Sequence, residues 1–164
     1  MRGAGRSVRS GGMDDEALVA RQLGRTPRAF RRVAVRCPWG RPAVTEQWPR
    51  DASGEPFPTT FYVTCPHLVA AIARLEAAGG VERWSQRARE EPTLAASLER
   101  ANAEQQELRP ELPGGIGGST RTGSLKCLHA HAAFALARPG YELGEGIVAE
   151  VGSPWPVSGC CTAE

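Results

Sequence analysis

The strand-like and helix-like segments of this chain occupy separate stretches of the sequence. Short runs rich in β-branched and aromatic residues fall at Phe30–Cys37, Ala43–Trp48 and Thr59–Thr64, and turns with proline or glycine lie between them. From residue 66 to residue 137, apolar residues recur at helical spacing. Strands that precede helices in this way are typical of the α+β class. We therefore predict a small antiparallel β-sheet (residues 30–64) packed against helices (residues 66–137).

Prolines and glycines divide the helical part of the sequence. Pro66 suits the first position of a helix, where its missing N–H is harmless, and Gly79 and Gly80 end that helix. The helix that starts at Pro92 carries only a narrow apolar stripe, which indicates a surface position. A glycine-rich loop precedes the last long helix. The predicted helices cover residues 14–23, 66–78, 81–90, 92–108, 125–137 and 144–151.

The length of 164 residues fits one domain with a real core. The first twelve residues are dominated by Arg, Gly and Ser without an apolar pattern, which is typical of disorder. We predict a disordered basic N-terminus (1–13), a single globular domain (14–152) and an irregular tail (153–164). Met1 and Met13 are both candidates for the start of translation.

The charge is distributed unevenly. Residues 1–41 hold ten arginines and three acidic residues, although the net charge of the chain is only +2. A basic segment of this kind could bind nucleic acid or an acidic partner. Nucleic acid ranks last, because the aromatic residues are not interleaved with the basic ones. No apolar run is long enough to span a bilayer, and no signal-peptide pattern follows the first arginines, so we predict a cytoplasmic protein with reduced thiols.

Soft metal ligands are scattered along the chain at the edges of predicted elements. Thiolate and imidazole are the ligands of zinc and of iron–sulfur clusters. Cys127 and His131 lie four positions apart on a predicted helix and share a face, whereas His129 points elsewhere. We hypothesise that Cys37, Cys65 and Cys127 converge. His131, or one of Cys160 and Cys161, would complete the site. There is no CxxC pair, and burial of free cysteines in the core is the alternative. The candidate ligands are Cys37, Cys65, Cys127, His129, His131, Cys160 and Cys161.

The glycine-rich loop is a second candidate site. It leads into a helix N-terminus, where backbone N–H groups attract phosphate or carboxylate. It matches neither the Walker A sequence nor a dinucleotide fingerprint, and the alternative is a mobile surface loop. The candidate anion-binding residues are Gly115, Gly117, Gly118, Ser119, Arg121 and Lys126.

Three segments together resemble a known family. They read LGRTPRAFRRVAVRCPWGRPAV, then GEPFPTTFYVTCPHLVAAIARLEAAGG, then the GGIGG loop followed by LKCLHAHAAFALA. In this order they are similar to the bacterial family catalogued as domain of unknown function 501, over roughly residues 22–140, and the resemblance implies an actinobacterial protein. The resemblance implies that Cys37, Cys65 and Cys127 belong together, and that Cys160 or Cys161 matches a further C-terminal cysteine. It implies no activity.

The leading interpretation is a cytoplasmic metal-binding protein that holds zinc, or less readily an iron–sulfur cluster. The alternative is a metal-free enzyme in which Cys65 or Cys127 is the nucleophile, while Arg121 and Lys126 bind a phosphorylated or carboxylated small molecule. The sequence identifies no partner, and a small anionic ligand is the candidate that the glycine-rich loop suggests.

Overall fold

The structure, a computed structural model, describes residues 12–118 and 125–162, with side chains from residue 15 onward. The three strands are β1 (Phe30–Arg36), β2 (Pro42–Gln47) and β3 (Phe61–Val63). The six helices are α1 (Gly12–Leu23), α2 (Pro66–Ala77), α3 (Gly80–Glu90), α4 (Pro92–Leu108), α5 (Leu128–Ala137) and α6 (Glu142–Val151). The predicted α+β class, with a three-stranded antiparallel sheet beside helices, is confirmed.

The sheet has the order β1-β2-β3, so the chain passes from one strand to its neighbour each time. Val44 of β2 lies opposite Val35 of β1 and opposite Val63 of β3. Every residue of β2 is buried, because this strand has a neighbour on each side and helices over the sheet. The ends of β1 and β3 and the start of β2 therefore meet at one edge of the sheet.

Helix α5 is the centre of the core. Its sequence, LHAHAAFALA, is apolar on nearly every side, and a helix of that composition is stable only when it is enclosed. It packs against β3, α6 and α2. The ring of Phe134 meets Phe61 and Tyr141 edge to face, with ring centroids 5.6 Å and 5.9 Å away. This helix thus joins the sheet to the helical layer.

Helix α5 begins three residues later than the sequence predicted. Lys126 has a φ of 63°, in the left-handed region, and Cys127 is extended with a φ of −157°, so neither residue continues a right-handed helix. The prediction that Cys127 and His131 share a helical face is therefore wrong. Cys127 occupies the N-cap position instead.

The narrow apolar stripe of α4 is buried at Leu98 and Ala101, while Leu108 is exposed. The helix is followed by Arg109, whose guanidinium is buried although it carries a charge. Arg109 donates hydrogen bonds to the carbonyl oxygens of Phe57 at 2.5 Å and of Trp48 at 3.3 Å, and also to that of Gln47. These bonds tie the loop after β2 to the end of α4.

The C-terminal segment returns to the sheet after α6. Trp155 packs against the core, and Thr162 accepts a hydrogen bond from the side-chain amide of Gln22 at 2.9 Å. The same amide donates to the carbonyl of Pro42 at 2.8 Å, so α1, β2 and the tail meet at one point. Among the described helices, none is long and apolar enough to cross a membrane. Residues 1–11, most of the predicted disordered N-terminus, lie outside the described part of the chain.

Candidate metal centre

Three potential metal ligands lie together where α2 ends and α5 begins. One donor atom from each of Glu76, Cys127 and His129 lies within 4.8 Å of the other two, and all three residues are partly buried. Glu76 lies in the last turn of α2, Cys127 is the N-cap of α5, and His129 lies in the first turn of α5. The site is therefore built by two helices that pack against each other.

Hydrogen bonds hold two of the three side chains, those of Glu76 and His129, in place. One carboxylate oxygen of Glu76 accepts the backbone N–H of Leu128 at 2.8 Å. The other lies 2.9 Å from Nδ1 of His129, and Nε2 of His129 lies 3.2 Å from the carbonyl oxygen of Val69. Since a carboxylate and a carbonyl only accept hydrogen bonds, this geometry favours an imidazole protonated on both nitrogens.

The electrostatics of His129 agree with that arrangement. The hydrogen bond to Cys127 raises the pKa of His129 above its ordinary value of 6.5, and the negative charge of Glu76 and the carbonyl of Val69 act in the same direction. Partial burial opposes the shift but does not cancel it. His129 is therefore more readily protonated than a free imidazole, and it lies beside a carboxylate and a thiol.

His131, which the sequence offered as a ligand, is a core residue. It is 1% exposed, with Nδ1 at 2.8 Å from the hydroxyl of Tyr141 and Nε2 at 3.0 Å from the carbonyl oxygen of Leu125. The carbonyl requires a proton on Nε2, so Nδ1 accepts from Tyr141 and the ring is neutral. Burial lowers the pKa of His131 to about 4 and raises that of Tyr141.

The other four cysteines lie near one another as two pairs. The sulfur of Cys37 lies 3.9 Å from that of Cys160, and the sulfur of Cys65 lies 3.7 Å from that of Cys161. Among the described residues, no three of these sulfurs form a group of donor atoms that are all within 4.8 Å of one another. Cys127 is grouped with Glu76 and His129 and not with Cys37 and Cys65.

The two pairs differ in their environments. Burial raises the pKa of the Cys65 thiol to about 11, although the backbone N–H groups of His67 and Leu68 act to lower it. Burial also acts to raise the pKa of Cys160, but contacts with Thr162, the thiol of Cys37 and the charge of Arg41 outweigh it, so that pKa is lowered. Each pair therefore combines a buried thiol from the sheet edge with a more accessible one from the tail.

The described part of the glycine-rich loop is packed against the protein. Its short 3-10 turn, Ile116–Gly118, holds Ile116 in the core, and the N–H of Ile116 donates to the side chain of Asn102 at 3.0 Å. Gly117 and Gly118 have φ values of 67° and 73°, which residues other than glycine rarely adopt. Gly115 approaches Asn102, and Lys126 is exposed. Ser119 and Arg121 lie outside the described residues, so anion binding by this loop stays a prediction.

One family model matches the chain. It is described as protein of unknown function (DUF501), and it covers residues 33–115, just over half of the sequence. The chain belongs to this family. The resemblance drawn from the sequence motifs is thereby confirmed, over a shorter span than those motifs suggested. No curated protein and no solved structure matches this DUF501 chain.

The DUF501 match contains Cys37, Cys65 and Glu76, whereas Cys127 and His129 follow it. Glu76 is the member of the group that sequence analysis missed. Its position carried a signal: an acidic side chain in the last turn of a helix faces the negative end of the helix dipole. An unfavourable local position of this kind indicates a contact with another element, which here is the N-terminus of α5.

Proposed function

We propose that this DUF501 protein binds a divalent transition metal, with zinc as the first candidate, through Glu76, Cys127 and His129. One observation carries the proposal: a carboxylate oxygen, a thiol sulfur and an imidazole nitrogen all lie within 4.8 Å of one another. Zinc accepts each of these ligand types at about 2.0–2.3 Å, and small side-chain movements around an ion would bring them to those distances.

The hydrogen bonds of the group support a specific ligand arrangement. Nδ1 of His129 faces Glu76 at 2.9 Å, so the loss of its proton leaves a lone pair directed toward the carboxylate. Nε2 can keep its proton and its bond to the carbonyl of Val69, an outer contact that commonly orients metal-bound histidines. An ion would thus replace one proton between Glu76 and His129.

Three protein ligands leave one position of a tetrahedral ion for water. Zinc with an open position lowers the pKa of bound water to about 7, which is the basis of hydrolytic zinc enzymes. A hydrolytic role is the finer form of the proposal. A fourth protein ligand would make the site structural instead.

A second candidate function uses the same residues without metal. Cys127 lies at the N-terminus of α5 beside His129, whose Nδ1 is paired with Glu76. To act as the base, His129 would have to turn Nε2 from the carbonyl of Val69 to the thiol. A nucleophile, a base and a group that orients the base form the usual arrangement of thiol enzymes, and a helix N-terminus favours the thiolate. This reading corresponds to the alternative that the sequence left open.

The test is a metal titration of the full chain under reducing conditions, followed with cobalt(II) as a spectroscopic substitute for zinc. Cys127→Ser and His129→Gln should each lose one equivalent of cobalt. His67→Gln, which changes a histidine outside the group, is the matched control and should retain it. Unchanged binding in Cys127→Ser would refute the proposal. If metal-free wild type also alkylates selectively and rapidly at Cys127, the thiol-nucleophile function takes its place.

A further inference from the structure

The second arrangement of soft ligands lies at the sheet edge, away from the residues of the proposed function. Cys37 directly follows β1, and Cys65 follows β3 as the N-cap of α2. The N–H of Cys37 donates to the carbonyl of Arg41 at 2.9 Å, and the N–H of Cys65 donates to that of Ala43 at 3.3 Å. Both bonds fix the backbone of the two buried cysteines beside the start of β2.

The tail brings two further thiols to the same edge. Cys160 and Cys161 are adjacent in sequence, yet one lies 3.9 Å from Cys37 and the other 3.7 Å from Cys65. The bond between Gln22 and Thr162 holds the residue that follows them against α1. Four cysteines from three separate parts of the chain therefore lie beside the start of β2, as two pairs.

The sulfur–sulfur distances are those of thiols in contact, which are also the distances between the ligands of a tetrahedral metal site. A disulfide bond is about 2.05 Å long, so neither pair has that geometry. In a tetrahedral zinc site with Zn–S bonds of about 2.3 Å, the sulfurs lie about 3.8 Å apart. Both distances, 3.9 Å and 3.7 Å, match one edge of such a tetrahedron. No three of the four sulfurs lie within 4.8 Å of one another among the described residues, so binding of one ion by all four would require the cysteine side chains to rotate toward one another.

Packing alone does not explain the course of the tail. Between Trp155, which contacts the core, and the two cysteines, the chain leaves Val157 97% exposed to solvent. Apolar burial would favour the reverse, since valine gains more from burial than a partly exposed thiol. The tail instead places its sulfurs on the two buried sulfurs of the sheet edge.

We infer that Cys37, Cys65, Cys160 and Cys161 form a second metal site, in which four thiolates bind one zinc ion and fasten the C-terminal segment to the sheet. A four-cysteine site is closed, so its role is structural and it leaves no position for a substrate. The inference does not depend on the Glu76 group, because the two sites share no residue.

Cobalt titration of the full reduced chain tests this inference, since the intensity of the thiolate-to-cobalt absorption rises with the number of bound thiolates. Wild type should show a four-thiolate spectrum, and the double variant Cys160→Ser/Cys161→Ser should lose it. The single variant Cys161→Ser changes an exposed position that tolerates substitution and should show three thiolates. Cys127→Ser is the matched control and should retain all four, which separates this site from the proposed one.

Two results would overturn the inference. A four-thiolate spectrum that survives in the double variant would show that other residues bind the ion. A reduced wild-type chain without any such spectrum, which forms Cys37–Cys160 and Cys65–Cys161 disulfides on exposure to oxygen, would show that the pairs serve thiol oxidation and not metal binding.

Discussion

The carboxylate of Glu76 accepts the backbone N–H of Leu128 at 2.8 Å, across 52 positions of the chain. The first N–H groups of a helix have no partner within the helix, and a side chain from the same segment usually satisfies one of them. Here a residue of α2 caps α5 from outside. The capping bond and the proposed metal site therefore share one carboxylate, and two variants can separate the two roles.

Replacement of Glu76 should distinguish capping from metal binding. Glu76→Ala removes the acceptor and should lower the free energy of unfolding of the metal-free protein by about 1 kcal/mol, the usual cost of a lost cap. Glu76→Gln keeps an acceptor oxygen and should stay near wild type in urea denaturation. Both variants should bind zinc more weakly, because neither has a carboxylate. Wild-type zinc affinity in Glu76→Gln would remove Glu76 from the ligand set.

The neutral state of His131 should make the fold sensitive to mild acid. Its pKa falls from 6.5 to about 4 on folding, chiefly through burial, so between these values the unfolded chain binds more protons than the folded one. The contribution is fully present above pH 6.5, and about 3 kcal/mol is lost as the pH falls toward 4. Urea denaturation at several pH values measures this loss.

His131→Gln is the control for that measurement. Glutamine can donate to the carbonyl of Leu125 and accept from the hydroxyl of Tyr141, as the neutral imidazole does, but it does not titrate. The variant should lose less stability than wild type between pH 6.5 and 4. Equal losses in both proteins would assign the acid sensitivity to other groups.

Gly144 should tolerate no side chain, although it lies within a helix where alanine is normally the better residue. A Cβ at this position would lie 2.6 Å from the Cβ of Ala135 and would overlap the ring of Tyr141. We expect Gly144→Ala to lower the free energy of unfolding by about 2 kcal/mol through overpacking between α5 and α6. Gly159→Ala is the control: its added Cβ meets nothing within 4 Å, so its stability should be near that of wild type. Thermal denaturation of both variants measures the difference.

Arg109 should matter more than its position after a helix suggests. Arg109→Met would leave the carbonyls of Gln47, Trp48 and Phe57 without their buried donor, at a cost of about 3 kcal/mol. Arg100→Met removes an exposed arginine within α4, paired with Glu142 at 3.0 Å, and should cost less than about 1 kcal/mol. Chemical denaturation of both variants compares the two; similar losses would contradict the role given to Arg109.

The strands and helices were predictable because their signals are local. Pro66, Pro92 and the Gly79–Gly80 pair mark helix boundaries within one or two residues of those observed, since backbone constraints act at the residue itself. The start of α5 was missed because Lys126 adopts a positive φ without being glycine. Nothing in the local sequence distinguishes that lysine from a helical one.

The candidate site was less predictable because its contacts are tertiary. The cysteines and His129 were identifiable by residue type, but their grouping depends on how α2 meets α5 and on where the tail returns. Helical spacing favoured His131 over His129, yet that spacing applied to a helix that begins only after Cys127. The acidic ligand, Glu76, belongs to an element that no spacing rule connects to Cys127.

The junction at Gln22 has a practical consequence for producing this protein. Its amide holds Thr162 beside the sheet edge, so a polyhistidine tag joined after Glu164 would begin within a few residues of the thiol pairs. Imidazoles at such a short tether compete for zinc at high effective concentration. A purification tag is better placed before α1, because the twelve residues of this helix extend about 18 Å and Gln22 lies at its far end. The tag should be removed by proteolysis before the metal content of the protein is measured.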